Sequence, residues 1–152
     1  MTTNNKELVV EKIANGTVID HIQADRVFKV VSILGLDSYE DEVLIGTNLS
    51  SKKYGKKGIL KIKNKYFTQE ELDKIAIIAP TATIITIKDY EIKEKKSLEI
   101  PHQIHKIVKC INPNCITNVE EIDTQFEVVG KDPLSIQCHY CEKTMQEIVF
   151  NE

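Results

Sequence analysis

The sequence lacks the features of a membrane protein, a secreted protein or a general nucleic-acid binder. Among its 152 residues, 20 Lys+Arg stand against 23 Asp+Glu, a formal net charge of -3, whereas nucleic-acid binders normally carry a positive excess. Apolar runs such as residues 75–79 are far too short to cross a bilayer. Residues 1–6 lack the apolar core of a signal peptide. A cytoplasmic protein with no membrane contact is therefore expected.

Catalytic and phosphate-binding motifs are also missing from the sequence. It contains no recognisable Ser/His/Asp set and no glycine-rich loop of the P-loop or dinucleotide-binding type. Internal repeats and low-complexity tracts are absent as well. Any recognition of phosphate must therefore come from side chains that converge from different strands.

Cysteine and charge are distributed unevenly, which predicts two modules. All four cysteines follow residue 109. Residues 1–100 carry 16 Lys+Arg and 15 Asp+Glu, whereas residues 101–152 carry 4 and 8. We expect a domain over residues 1–99 and a second, acidic and thiol-rich domain over residues 100–152.

The first module has the order strand, helix, strand, strand, helix, strand. The predicted strands cover residues 17–22, 42–48, 58–64 and 82–88, with residues 90–93 as an extension or a short fifth strand. Val27, Val30, Val31 and Leu34 recur at helical spacing before Gly35. A second helix follows Thr68, where a capping box with Glu71 is expected, and ends before Pro80. This order is typical of a ferredoxin-like α+β domain, with both helices on one face of an antiparallel sheet.

Two charged segments are predicted to be linkers. One covers residues 49–57, between the second and third strands, and the other covers residues 93–101, between the modules. The second module then shows short strand candidates interrupted by cysteine-bearing turns, which predicts a small all-β domain. These candidates are residues 104–109, 126–129, 134–137 and 146–150.

The cysteines form a C-x4-C pair, Cys110 and Cys115, and a C-x2-C pair, Cys138 and Cys141, separated by 22 residues. Four thiolates in a tetrahedron suit Zn2+, and a full shell of this kind is structural rather than catalytic. In a domain with so small a core, metal binding supplies folding energy directly. Disulfides are disfavoured without a secretory signal. An iron site with four thiolates is left open by the spacing, and His139 is expected at the surface rather than on the metal.

Lysines cluster in residues 52–65, which fits either a solvated hairpin or a site for a polyanion. Asp20 and His21 are adjacent in a predicted strand, where neighbouring side chains point to opposite faces. The pattern alone does not decide whether either feature is functional.

Several motifs, in order along nearly the whole chain, closely resemble the regulatory chain of aspartate carbamoyltransferase. They are Gly16-Thr-Val-Ile-Asp-His-Ile22, Leu60-Lys-Ile-Lys-Asn64, Ala79-Pro-Thr-Ala-Thr83, Asp89-Tyr-Glu91, Cys110-x4-Cys115 and Cys138-His-Tyr-Cys-Glu-Lys143. The resemblance implies a non-catalytic subunit whose first domain binds ATP, CTP or UTP as allosteric effectors. Its second domain would hold one structural zinc ion and dock on the catalytic chain. In that family three regulatory homodimers bridge two catalytic trimers and control carbamoyl transfer to aspartate, the committed step of pyrimidine biosynthesis.

The resemblance also implies roles for individual residues. Asp20, His21, Lys61 and Lys95 match positions around ribose and phosphates, and Lys57 matches a basic position near the triphosphate. Positions around the base are matched by Val10, Glu11, Ile13, Val18, Thr83, Ile87, Tyr90 and Ile92. Ile85 departs from a well-studied branch of the family, which has a polar amide there, so the resemblance does not imply which nucleotide activates and which inhibits.

In the second module, the resemblance places Asn112, Asn114, Glu142 and Lys143 against the catalytic chain. Two other functions are alternatives to the regulatory one. A zinc-ribbon protein that binds DNA or RNA is disfavoured by the acidic balance of residues 101–152 and by the lack of interleaved basic and aromatic residues. A metal-dependent enzyme would need an open coordination position, which a four-cysteine shell does not leave.

Overall fold

The structure, a computed structural model, describes residues 12–52 and 55–151. The chain divides into two compact units, Met1–Ile100 and Pro101–Glu152. No helix in the described part of the chain is long and apolar enough to cross a membrane.

The first unit is a five-stranded antiparallel sheet with two helices. Its order along the chain is β1 (Gly16–Gln23), α1 (Val27–Ile33), β2 (Val43–Ser51), β3 (Gly55–Lys63), α2 (Gln69–Ile78), β4 (Thr83–Lys88) and β5 (Glu91–Ser97), with 3-10 turns at Ala24–Arg26 and Leu36–Ser38. The strands lie in the order β2-β3-β1-β4-β5, and all neighbours pair antiparallel. This is the predicted ferredoxin-like arrangement with one extra edge strand.

The helices pack on one face of this sheet, where the apolar side chains are buried. Val27 of α1 lies so close to Gly58 of β3 that a Cβ on Gly58 would sit 1.9 Å from a Val27 methyl group. Ile19, Leu60 and Ile62 are fully buried on the same face. Residues at alternate positions along these strands point to the opposite face, which we call the far face.

The predicted C-terminal glycine of α1 and the predicted N-terminal capping box of α2 are both present. Gly35 follows α1 in the left-handed conformation, with φ 66°, which glycine adopts without steric cost. At the start of α2, the Thr68 hydroxyl accepts from the Glu71 N–H at 3.3 Å and the Glu71 carboxylate accepts from the Thr68 N–H at 3.0 Å. The predicted capping box is therefore confirmed.

The two predicted linkers were wrong over much of their length. Strand β2 continues through Ser51 and β3 begins at Gly55, so that Leu49 pairs with Lys57 and Ser51 with Gly55. Residues 93–97 belong to β5, the edge strand next to β4. All seven side chains of β5 are exposed. Backbone pairing with β4 therefore holds this strand in place, and its charged sequence has no alternation that would predict a buried face.

The second unit is built mainly of short strands: β6 (Gln103–His105), β7 (Val108–Lys109), β8 (Gln125–Lys131), β9 (Leu134–Cys138), β10 (Thr144–Met145) and β11 (Val149–Phe150). A four-residue helix, α3 (Ile116–Val119), follows Cys115. The single strand predicted over residues 104–109 is divided, because Lys106 takes a left-handed conformation with φ 67°. The predicted strand over residues 146–150 shortens to β11, and β10 forms separately on β9.

Candidate functional site

The far face brings together predicted nucleotide-binding residues from four strands. Across one row, Lys61 of β3 pairs with Val18 of β1, Val18 with Ile85 of β4, and Ile85 with Lys95 of β5. Residues that are directly opposite in a pair share a face. The register thus places two lysines on either side of a short apolar strip, although they are 34 positions apart in the sequence.

Asp20 and His21 occupy a β-bulge in the middle of β1. Pairing with β3 is regular up to Ile19 and resumes at Ile22, which leaves two residues opposite one. Both Ile19 and Ile22 are fully buried, so the bulge keeps these apolar residues on the helix face. His21 takes φ 57°, and its N–H donates to the Asp20 carboxylate at 2.6 Å.

An ion pair joins β1 to β3 at this bulge. The Lys57 ammonium lies 2.7 Å from Oδ1 of Asp20, and both side chains are mostly buried. Burial by itself raises the pKa of Asp20, but the hydrogen bonds from Lys57 and from the His21 N–H outweigh it, so the pKa lies below its ordinary value. Asp20 is therefore a carboxylate, an acceptor of hydrogen bonds, at neutral pH.

Lys61 sits in a less favourable environment for its charge. Burial lowers its pKa and the nearby Lys12 ammonium lowers it further, while the Asp20 carboxylate opposes both. Asp20 also pairs with Lys57, so the ammonium groups of Lys57 and Lys61 both lie near this one carboxylate on the far face. An anion bound beside Lys61 would favour the charged form of that side chain.

The remaining predicted base-contacting residues lie further along the sheet. Thr83 pairs with Asp20, and Ile87 of β4 pairs with both Gly16 and Ile92. Tyr90 lies in the tight turn between β4 and β5, with its side chain exposed and its N–H donating to the Ala14 carbonyl at 2.9 Å. Ile13 is buried. Val10 and Glu11 lie outside the described residues.

The four cysteines of the second unit converge on one point. Their Sγ atoms all lie within 4.8 Å of one another, and both Cys110–Cys141 and Cys115–Cys138 are 3.7 Å apart. Ligands at the Zn–S distance of about 2.3 Å in a regular tetrahedron lie about 3.8 Å apart. Two of the sulfur separations match this value and the others are at most 4.8 Å, so the cluster is consistent with one four-thiolate zinc ion.

Backbone hydrogen bonds hold three of the four sulfur atoms within the two cysteine turns. Backbone N–H groups of Asn112, Tyr140 and Lys143 point at sulfur atoms of Cys110, Cys138 and Cys141 respectively. In the absence of a metal ion, burial raises the pKa of Cys110 to about 12, whereas hydrogen bonds from Lys143, Asn112 and the neighbouring thiols lower that of Cys141 to about 7 despite burial. A divalent cation would remove this disparity by favouring the thiolate form of all four.

The predicted docking residues surround this cluster. Asn112 accepts from the Asn114 N–H at 3.1 Å inside the first cysteine turn, and its side chain hydrogen-bonds to Cys141. Glu142 takes φ 63° in the second turn, where its N–H donates to the Cys138 carbonyl at 3.0 Å. Asn114, Glu142 and Lys143 are exposed, so they are accessible on the outside of the metal-binding turns.

Two residues beside the cluster were missed by the sequence analysis. The Asn118 amide donates to the carbonyls of Cys110 and Asn112 at 2.8 and 2.7 Å, and the Thr117 hydroxyl contacts the Cys115 sulfur at 3.2 Å. Both lie in α3, directly after Cys115. Polar side chains just after a cysteine ligand were the available signal, since such ligands usually have supporting hydrogen bonds.

Comparison with known proteins matches both units. The family described as aspartate carbamoyltransferase regulatory chain, allosteric domain, matches residues 8–99. Residues 102–150 match the metal binding domain of the same regulatory chain. An allosteric domain followed by a metal-binding domain defines a regulatory subunit, and not a catalytic one.

Individual relatives agree with this. The aspartate carbamoyltransferase regulatory chain of Bacteroides fragilis is 50% identical over 143 residues, covering 94% of each chain. That of Pyrococcus horikoshii is 50% identical over 143 residues, covering 93% of this chain and 94% of its own. The Bacteroides thetaiotaomicron chain is 48% identical over 143 residues, covering 94% of both. The chain belongs to the family of aspartate carbamoyltransferase regulatory chains.

The family membership confirms the predicted regulatory role and the predicted metal-binding domain. The chain is the non-catalytic, regulatory partner of the aspartate carbamoyltransferase catalytic chain, an enzyme of pyrimidine biosynthesis. Its second domain binds metal through a four-cysteine cluster consistent with one structural zinc. These findings give no support to the zinc-ribbon nucleic-acid-binding alternative.

Proposed function

We propose that the first domain binds nucleoside triphosphates on the far face of its sheet and that this binding regulates the catalytic chain. The observation that carries the proposal is the row Lys61–Val18–Ile85–Lys95, which joins four strands. A cation at each end and apolar side chains between them suit a ligand with a charged tail and a flat, weakly polar base.

The charges assign a role to each part of the site. Lys61 and Lys95 supply ammonium groups for the phosphates, and Lys57, which pairs with Asp20, supplies a further positive charge beside them. The Asp20 carboxylate, held by Lys57 and the His21 N–H, is an acceptor for ribose hydroxyls. Val18, Ile85 and Ile87 would contact the base, while strand backbone groups and Tyr90 would read its edges.

The second domain is proposed to dock on the catalytic chain through the surface beside the zinc cluster. Asn114, Glu142 and Lys143 are exposed there, and Asn112 ties the first cysteine turn to Cys141. A bound zinc ion supplies no chemistry to the reaction and fixes the shape of these turns. Removal of the metal would therefore weaken docking without direct effect on nucleotide contacts.

The assembly is proposed to follow the resemblance, with regulatory homodimers that bridge catalytic trimers. Binding of DNA or RNA is not part of this function, because the first domain is close to neutral overall and the second is acidic. The cytoplasmic location stays a prediction.

The test is titration of the complex between this chain and its catalytic chain with ATP, CTP and UTP, followed by calorimetry and by carbamoyl-transfer rate. Lys61→Ala and Lys95→Ala should each weaken binding by about 10- to 150-fold at most, since a charge-assisted contact contributes about 1.5–3 kcal/mol. Lys96→Ala is the matched control. It removes the same charge from β5 at a position that pairs with Ile84 on the helix face.

Equal weakening by Lys96→Ala would show that net charge, and not the far face, governs binding. If none of the three nucleotides binds or changes the rate, the allosteric role is wrong and only the bridging role remains. Salt-sensitive binding to DNA or RNA, with no response to nucleotides, would favour the nucleic-acid alternative.

A further inference from the structure

The connection between α2 and β4 reaches across to the bulge of β1. The Thr81 hydroxyl donates to the His21 carbonyl at 2.8 Å, a contact between residues 60 positions apart. Thr81 lies within the Ala79-Pro-Thr-Ala-Thr83 segment, and its side chain is not among the proposed nucleotide-binding or docking groups.

Regular pairing holds the bulge on one side only, where Asp20 pairs with Thr83 of β4. On the other side the register with β3 is interrupted between Ile19 and Ile22, so the β3 ladder does not fix the geometry of the bulge. His21 also takes φ 57°, a left-handed conformation that is unfavourable for a residue with a side chain. A hydroxyl bonded to the His21 carbonyl compensates for part of both penalties.

Hydrogen bonds also fix the connection between α2 and β4 that contains Thr81. Arg26 donates to the Ile78 carbonyl at 2.6 Å at the end of α2, and the Ala82 N–H donates to the Ala79 carbonyl at 3.0 Å. The Leu98 N–H donates to the Ala82 carbonyl at 3.3 Å. Thr81 therefore contacts the bulge from a connection that is bonded before and after it.

We infer that Thr81 is a positioning residue of the nucleotide site, whose hydroxyl fixes the bulge that aims Asp20 and His21 at the far face. The chain of contacts runs from the Thr81 hydroxyl to the His21 carbonyl, and from the His21 N–H to the Asp20 carboxylate at 2.6 Å. Thr81 acts through these residues. The expected effect on nucleotide binding rests on the proposed function. The contact between Thr81 and the bulge does not depend on it.

The experiment compares Thr81→Val, which keeps the shape of the side chain without its hydroxyl, with Thr81→Ser, which retains the hydroxyl. Thr86→Val is the matched control, because Thr86 lies on β4 opposite Thr17, on the helix face. Zinc-loaded full-length chains in complex with the catalytic chain are titrated with ATP and CTP. Binding should weaken about three- to tenfold in Thr81→Val, as expected for loss of one neutral hydrogen bond, and stay within about twofold in the other two variants.

A second readout separates positioning from general loosening. The Asp20 carboxyl is titrated by NMR in the full-length chain. It is faced by the Lys57 and Lys61 ammonium groups of β3 and by His21 on its own strand, and these stay in place in all three variants. A released bulge weakens the His21 N–H contact, so the midpoint of the Asp20 titration should rise in Thr81→Val and not in Thr81→Ser or Thr86→Val.

Each outcome decides between the two proposals. Unchanged nucleotide affinity and an unchanged Asp20 midpoint in Thr81→Val would overturn the inference. Weaker binding with an unmoved midpoint, or without recovery in Thr81→Ser, would overturn it too, since packing would then be responsible. If the wild-type chain binds no nucleotide, the proposed function fails, and a raised Asp20 midpoint in Thr81→Val would still support control of the bulge by Thr81.

Discussion

The Lys57 ammonium lies 2.7 Å from the Asp20 carboxylate, on the face of the sheet turned away from both helices. The ion pair joins β3 to β1 at the bulge. The spacing of the two residues in the sequence does not predict that they meet. The ion pair makes the charge state of Asp20 important both for stability and for the proposed ribose contact.

The ion pair predicts how stability depends on pH. The pKa of Asp20 is lowered in the folded chain by the Lys57 and His21 N–H contacts, against the effect of burial. Because the folded pKa lies below the unfolded one, the contribution is complete above about pH 4, the ordinary value, and is lost as pH falls through the folded pKa. Asp20→Asn should thus cost about 1–2 kcal/mol at pH 7, and this difference should shrink as the pH falls further below about 4, as measured by urea unfolding.

Glu91→Gln is a suitable control for this measurement. Glu91 forms an ion pair with Lys93 at 3.1 Å, but both side chains are well exposed, and exposed pairs contribute little. A stability difference between wild type and Asp20→Asn that stays constant from pH 7 to pH 2 would contradict the role given to this carboxylate.

Loss of one cysteine should abolish the metal site. Cys138→Ser removes a thiolate from a cluster whose sulfurs are 3.7 Å apart in pairs, and a structural zinc of this kind contributes on the order of 10 kcal/mol to folding. The variant should fail to bind zinc stoichiometrically and fail to assemble with the catalytic chain. Spectra of the cobalt-substituted wild type should show tetrahedral four-thiolate ligation, and those of the variant should not.

His139→Ala is the control for the metal site. His139 lies between two of the cysteines, and its ring packs edge-on against Tyr140. This variant should keep metal content and the cobalt spectrum of the wild type. An intact complex formed from metal-free wild-type chain would contradict the mechanical role of the zinc ion.

The close approach of β3 and α1 should be sensitive to added volume. A Cβ on Gly58 would lie 1.9 Å from a Val27 methyl group and 3.3 Å from the Gly46 carbonyl. Gly58→Ala should therefore destabilise the chain by about 1–3 kcal/mol, the usual cost of overpacking. Thermal or urea unfolding of the full chain measures the effect.

A double-mutant cycle with Val27→Ala identifies the cause. Val27→Ala alone leaves a cavity, but it also removes the methyl groups that the new Cβ would meet. The double variant should be more stable than the sum of the single effects predicts, by about 1 kcal/mol. Strict additivity would mean that the clash with Val27 is not what limits position 58.

The capping box should contribute measurably to α2. Thr68→Ala removes the hydroxyl that accepts from the Glu71 N–H, and loss of such a cap typically costs about 1 kcal/mol. Gln69→Ala serves as the comparison, because its side chain makes only an exposed contact with Asp73 at 2.9 Å, of a kind worth about 0.2–0.5 kcal/mol. Equal effects of the two substitutions in urea unfolding would contradict the assigned cap.

Much of the fold could be predicted because local patterns agreed with the tertiary arrangement. The valines of α1 repeat at helical spacing and are buried, and Gly35 ends the helix as expected. The alternation in β3 puts Leu60 and Ile62 in the core. Strand β5 was predicted only over its first residues and missed over residues 94–97, because an exposed edge strand held by backbone pairing needs no apolar alternation.

The site shows the same division. The cysteine spacing predicted the metal cluster, because both pairs lie within tight turns that bring two sulfurs together locally. The bulge at Asp20 and His21 and its contact with Thr81 could not be predicted, since both depend on partners far away in the sequence.

The sequence by itself determined the order of helices and strands, the four metal ligands and the family, because each is encoded in local spacing or in ordered motifs. Only the tertiary structure decided which charges meet. Antiparallel register aligned Lys61 with Val18, Ile85 and Lys95 in one row, and the bulge let Asp20 reach Lys57. Register and bulges follow from long-range pairing and burial across the whole sheet, which no short stretch of sequence specifies.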